Sequence, residues 1–84
     1  MNVIDQMRER LVSLSPTAME IIDDSAKHAG HAGARDGGGH FRLQITSPAF
    51  VGCSTMQRHR LVYDALGPLM KREIHALSID ARAP

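Results

Sequence analysis

Seven residues, HFRLQIT at positions 40–46, constrain this chain more than any others. Phe41, Leu43 and Ile45 fall on one side of an extended backbone, and His40, Arg42, Gln44 and Thr46 fall on the other. That alternation describes a strand in a sheet with one covered face and one wet face. The rest of the chain must supply the cover. With 84 residues, a chain buries roughly 60–65% of its unfolded surface, enough for one domain but not for a deep catalytic pocket. Only 4% of the residues are aromatic, so the core is expected to be aliphatic.

Two helices are available as cover. Val3, Met7, Leu11 and Leu14 recur at helical spacing, with Ile4 beside them. Asn2 is placed as an N-cap and Asp5 sits in the first turn, where the helix dipole favours an acid. Pro16 ends this helix near Leu14. Ser54 and Gln57 form an S-x-x-Q capping box that opens a second helix. Its inner stripe is Val62, Leu66 and Leu69, with Met56, Leu61 and Ala65 alongside, and Pro68 should kink or end it near Leu66. Two more strands are expected, AMEIIDD at 18–24 and IHALSID at 74–80, the latter with Leu77 and Ile79 on its core face.

The predicted order is α-β-β-α-β, an α+β fold spanning residues 1–84 as a single domain. A hairpin makes the first two strands antiparallel. A helical crossover makes the second and third parallel. The result is a three-stranded mixed sheet with both helices on one face. Residues 25–39 hold five of the seven glycines and are expected to be a mobile connection.

That topology brings histidines together. His28 and His31 lie in the connection, His40 opens the second strand and His75 opens the third, all at one end of the sheet. His59 lies at the other end. Several imidazoles at one sheet edge suit a metal ion or cluster, although the spacing 28–31–40–75 matches no standard zinc pattern. The plainer readings are a solvated His40, a loop His31, and a His75 that shares parity with Leu77 and Ile79 as a partly buried core residue. A standalone zinc protein is a further reading of these histidines.

Other chemistry is poorly supplied. Cys53 is the only cysteine, so a disulfide framework and a dithiol mechanism are excluded. His59 is the only candidate base near it. Asp23 and Asp24 are adjacent on a strand and face opposite ways. A net charge of +1 creates no global field. Arg42, Arg58, His59, Arg60, Lys71 and Arg72 could form a basic surface, and the element order is KH-like, but the backbone-clamping G-x-x-G is missing and Phe41 faces the core. Charges fall within the first ten residues, no apolar run is long enough to span a bilayer, and a cytoplasmic protein without membrane contact is expected.

Five blocks, DDSAKHAGH at 23–31, HFRLQITS at 40–47, FVGCS at 50–54, RHRLVYDAL at 58–66 and IHALSI at 74–79, resemble the BolA family over nearly the whole chain. The resemblance implies the KH-like fold and a non-enzymatic adaptor role. It implies a monothiol glutaredoxin as partner, with a two-iron, two-sulfur (2Fe-2S) cluster shared between glutaredoxin cysteine, glutathione and BolA ligands. The implied ligands are His75, opening the last strand, and His28 in the loop, with His31 as the alternative; Cys53 matches no ligand position. No cofactor is expected in the isolated protein, which would be a monomer or weak homodimer. The alternative implied role is a DNA-binding transcriptional regulator of stress response and cell morphology, for which Arg58, Arg60, Lys71 and Arg72 are the candidate contacts. Pro68 and an end at Pro84 depart from the family pattern, and the short tail is expected to weaken any partner contact made there.

Overall fold

The computed structural model describes residues 2–25 and 39–84. The expected mobile loop at 25–39 therefore lies, except for its two end residues, outside the described residues. Helix α1 spans Val3–Leu11 and continues as a 3-10 turn over Val12–Leu14. Strands β1 (Ala18–Asp23) and β2 (Gly39–Thr46) follow, then a 3-10 turn at Pro48–Phe50. Helix α2 (Thr55–Leu66) gives way to a 3-10 segment over Gly67–Lys71, and β3 (Ile74–Arg82) closes the order. No helix among the described residues is long and apolar enough to cross a membrane.

The local signals act as the sequence indicated. The Asn2 side chain accepts a hydrogen bond from the Asp5 N–H at 2.9 Å. At α2 the capping box is complete, with Gln57 N–H donating to Ser54 Oγ at 3.1 Å and Ser54 N–H donating to Gln57 Oε1 at 2.8 Å. The α-helical geometry stops at Leu66, because Pro68 has no N–H to give and Gly67 turns to a positive φ of 54°. The chain goes on as a tighter 3-10 coil, which still delivers Leu69 to the core.

The sheet order is β1-β2-β3, with β1–β2 antiparallel and β2–β3 parallel. Phe41, Leu43 and Ile45 are all buried while Arg42 and Gln44 are exposed. Met7 and Leu11 of α1 and Val62 and Leu66 of α2 pack on that covered face. Phe50, fully buried in the turn after β2, is a core member that no periodicity announces. Met56 is a correction in the other direction: placed beside the inner stripe of α2, it is 66% exposed. It lies on the first turn of α2 and is not among the residues packed against the core. Buried Ser47 seals the end of β2, its hydroxyl donating to the Leu14 carbonyl and accepting the Ala49 N–H at 3.0 Å.

Gly39 opens β2 beside the Phe41 ring. A Cβ there would lie 2.5 Å from the ring edge, and that ring is itself buried. Gly39→Ala is therefore expected to cost about 1–3 kcal/mol as an overpacking change, measured by urea unfolding at constant m-value.

Candidate functional site

The parallel ladder contains one irregularity. Gly39 pairs with Ile74, but His40 pairs with Ala76, so β3 advances two residues while β2 advances one. From there the register is regular to Thr46 and Arg82. Ile74 is buried, Leu77, Ile79 and Ala81 pack against the core, and His75 and Ala76 are both exposed. Two consecutive residues thus avoid the covered face, as a bulge requires.

This corrects the parity reading of His75. Its number matches that of Leu77 and Ile79, but the extra residue breaks the alternation between them. The ring stands on the open face beside His40, with ring centroids 5.1 Å apart and planes tilted by 42°. His40 is likewise more than a solvated side chain. It is partly buried, its Nε2 is shielded from solvent, and its backbone is held by the end of β1. The His40 N–H donates to Ser25 Oγ at 3.1 Å, and its carbonyl accepts the Asp24 N–H at 2.7 Å. The sequence pattern alone offers a solvated side chain as the plainer reading of His40. The signal that could have retained it is its position, directly opposite the start of β3.

The surroundings are polar and charge-balanced. Asp23 and Asp24 do diverge. Asp24 bridges to Arg42 across the open face, with Arg42 Nε 2.7 Å from Oδ2. Asp23 accepts the Ser25 N–H at 2.9 Å. The Ser25 hydroxyl, and then that N–H, hold the Asp23 carboxyl below its usual pKa. Asp24, His40, Arg42, Ala76 and Ser78 border a shallow depression of about 310 Å³ on the open face.

Of the sequence-predicted site residues, His75 and His40 are brought together. His28 and His31 lie outside the described residues. Among those described, no three or more His, Cys, Asp or Glu side chains converge as a metal centre. His59 lies towards the far end of the sheet, next to Arg58, whose Nη1 reaches the Ala81 carbonyl at 2.9 Å. Arg58 Nε also donates to the Cys53 carbonyl at 3.1 Å. Its guanidinium thus clasps the start of α2 to the end of β3, a structural duty that a basic residue in a basic run does not advertise. Arg60 is exposed on α2, whereas Lys71 and Arg72 lie beyond the other end of that helix. There they border a cavity of about 880 Å³ together with Asp23 and Glu73. Arg42 is on the opposite side of the sheet from the helices. Among the described residues, these cations are not gathered into one basic surface. Half-buried Cys53 directs its thiol to the Ala49 carbonyl at 3.5 Å.

Comparison with known proteins bears on this geometry. A family model described as BolA-like protein matches residues 11–84. The chain is 47% identical over 85 residues to SufE-like protein 1 of Arabidopsis thaliana, covering 94% of this chain and 23% of that protein. It is 41% identical over 87 residues to the chloroplastic protein BOLA1 of the same plant, covering 99% of this chain and 54% of the relative. The chain therefore spans a quarter to a half of the length of these two relatives. The solved BolA domain of SufE1 from Arabidopsis thaliana superposes with a TM-score of 0.83 at 47% identity, covering 95% of this chain and 90% of that one.

Ser25→Ala removes the hydroxyl but leaves the backbone donor. The Asp23 carboxylate stabilises the fold above its unfolded pKa, and that contribution fades as pH falls through the lowered folded value. The substitution should move the Asp23 midpoint upwards, towards the ordinary aspartate value of about 3.9, in a carboxyl-carbon NMR titration.

Proposed function

This chain belongs to the BolA-like protein family, and we propose that it is an adaptor for a monothiol glutaredoxin, co-ligating a two-iron, two-sulfur cluster through His75. The observation that carries the reading is the exposed His75 ring, turned off the core face by the bulge at the start of β3. A ligand that must complete a partner's cluster has to stand clear of its own core, and a strand fixes it better than a loop does. The second ligand is assigned to His28, with His31 as the alternative. Glutaredoxin cysteine and glutathione supply the sulfurs.

The donor chemistry fits. An exposed imidazole can offer a neutral nitrogen where a homodimeric glutaredoxin site would have a thiolate. Nitrogen ligands remove negative charge from the cluster and raise its potential, as they do in Rieske centres. His75 binds and orients; His40 and the Ser25 hydroxyl behind it keep that end of the sheet in place. None of these groups forms a nucleophile–base pair, so the role is assembly, trafficking or regulation of iron and redox state, not catalysis. A nucleic-acid role receives less support, since Arg58 is engaged by carbonyls and Lys71 and Arg72 share their rim with acids.

Co-expression with a monothiol glutaredoxin should yield a coloured complex whose visible absorption and circular dichroism differ from those of glutaredoxin alone. His75→Ala should return the spectrum to the glutaredoxin-alone form. An unchanged spectrum in that variant would remove His75 as a ligand.

A further inference from the structure

We infer that the free edge of β3 is a dimerisation surface, on which a second copy of this chain pairs antiparallel about a two-fold axis through Ser78. The two three-stranded sheets then join into one continuous sheet. The surface needs neither a glutaredoxin nor a cluster, and so goes beyond the adaptor reading.

The sheet order leaves β1 and β3 as its two edges, and an edge strand presents a row of backbone groups ready to pair with another chain. Along β3 these groups can be assigned. The Arg82 carbonyl accepts the Ser47 N–H and so points towards β2. Alternation then turns the N–H and C=O of Leu77, Ile79 and Ala81 to the free side. Arg58 Nη1 already occupies the Ala81 carbonyl. Among the described residues, none bonds to the outward groups of Leu77 or Ile79. An antiparallel copy centred on Ser78 sets Leu77 opposite the second Ile79 and Ile79 opposite the second Leu77. Those outward groups then satisfy one another in four hydrogen bonds. In the same register Asp80 falls opposite the copy's Ala76 and Arg82 opposite its Ile74, so no like charges meet.

The other edge is defended. Strand β1 holds Glu20 and Asp23 and no cation in its six residues, so two copies would repel there. From Ile74 to Ile79, β3 has no proline, acid, lysine or arginine. The helical layer is also unfinished on the β3 side. Leu61 and Ala65 of α2 follow Arg58 by three and seven residues and share its stripe. With Leu77 and Ile79 they are only partly buried against the core. A two-fold axis perpendicular to the sheet puts the helices of both copies on one face. Seven residues of helix rise about 10.5 Å and three residues of strand about 10 Å. With Arg58 anchored at Ala81, Ala65 therefore stands about level with Ser78, where its small side chain lets a second α2 approach. A strip this short engages fewer residues than the roughly 20–30 a side of a stable interface, so the dimer is weak and concentration-dependent.

Sedimentation equilibrium of the untagged protein at low ionic strength should show the mean mass rising from monomer towards dimer between roughly 10 μM and 1 mM, the range of weak association. Over the same range the Leu77 and Ile79 amides should gain protection from hydrogen exchange. Ser78 is exposed, so its substitution leaves the core alone. Ser78→Lys and Ser78→Asp each set like charges face to face on the axis, and each should weaken the dimer about fivefold. An equimolar mixture of the two variants brings opposite charges together and should dimerise at least as well as the wild type. A wild type that stays monomeric at the highest concentration would overturn the inference; it is also the result expected if only a partner's extended strand fits this edge. So would charge variants that dimerise as the wild type does, a mixture no more dimeric than its components, or Leu77 and Ile79 amides that stay unprotected. Since no glutaredoxin is present, none of these results bears on cluster assembly with the partner.

Discussion

The β2–β3 ladder carries one more residue on β3 than on β2 at its first step, and both sides of the molecule depend on that step. On the covered side it lets Ile74 enter the core next to Gly39 while Leu77, Ile79 and Ala81 still fall opposite Phe41, Leu43 and Ile45. On the open side it leaves His75 and Ala76 as successive outward residues. A regular ladder could satisfy one side only. Were His75 to keep its parity, an imidazole would have to be buried against an aliphatic core, with its polar nitrogens paid for by partners that the core does not hold.

The step is held in place by its neighbours. Gly39 admits the Phe41 ring at a distance no side chain would tolerate, and its N–H donates to the Glu73 carbonyl at 2.9 Å. Ser25 then links His40 to Asp23, so the end of β1 fastens the start of β2. At the other end, Arg58 and Ser47 perform the matching task, joining α2 to β3 and β2 to the turn after α1. The sheet is thus pinned at both ends, which leaves the open face rigid enough to present a pair of rings in a defined arrangement.

Much of the fold was legible in the sequence because its signals are local. The Phe41–Leu43–Ile45 alternation, the Asn2 and Ser54 caps and the stop at Pro68 each depend on a few adjacent residues, and each acts as read. The parallel direction of the third strand follows from the crossover. What could not be read depends on two strands at once. Parity assigned His75 to the core because alternation assumes an unbroken ladder, and a bulge is a property of the pairing rather than of IHALSID itself. The same reason hid His40, whose interest comes only from the residue opposite it. Arg58 reads as one more cation, since the carbonyls it clasps are 5 and 23 residues away. Phe50 sits in a turn with no period to reveal it. The family resemblance supplied His75 where the residue pattern alone left it ambiguous.

The central claim is therefore spatial: the extra residue puts the His75 ring on the open face beside His40. It is tested most directly by nuclear Overhauser contacts between assigned ring protons of the partner-free protein in solution. Cross-peaks between the His40 and His75 rings, with none from His75 to Leu43 or Val62, are the predicted result. Cross-peaks from the His75 ring to those core side chains, and none to His40, would contradict it.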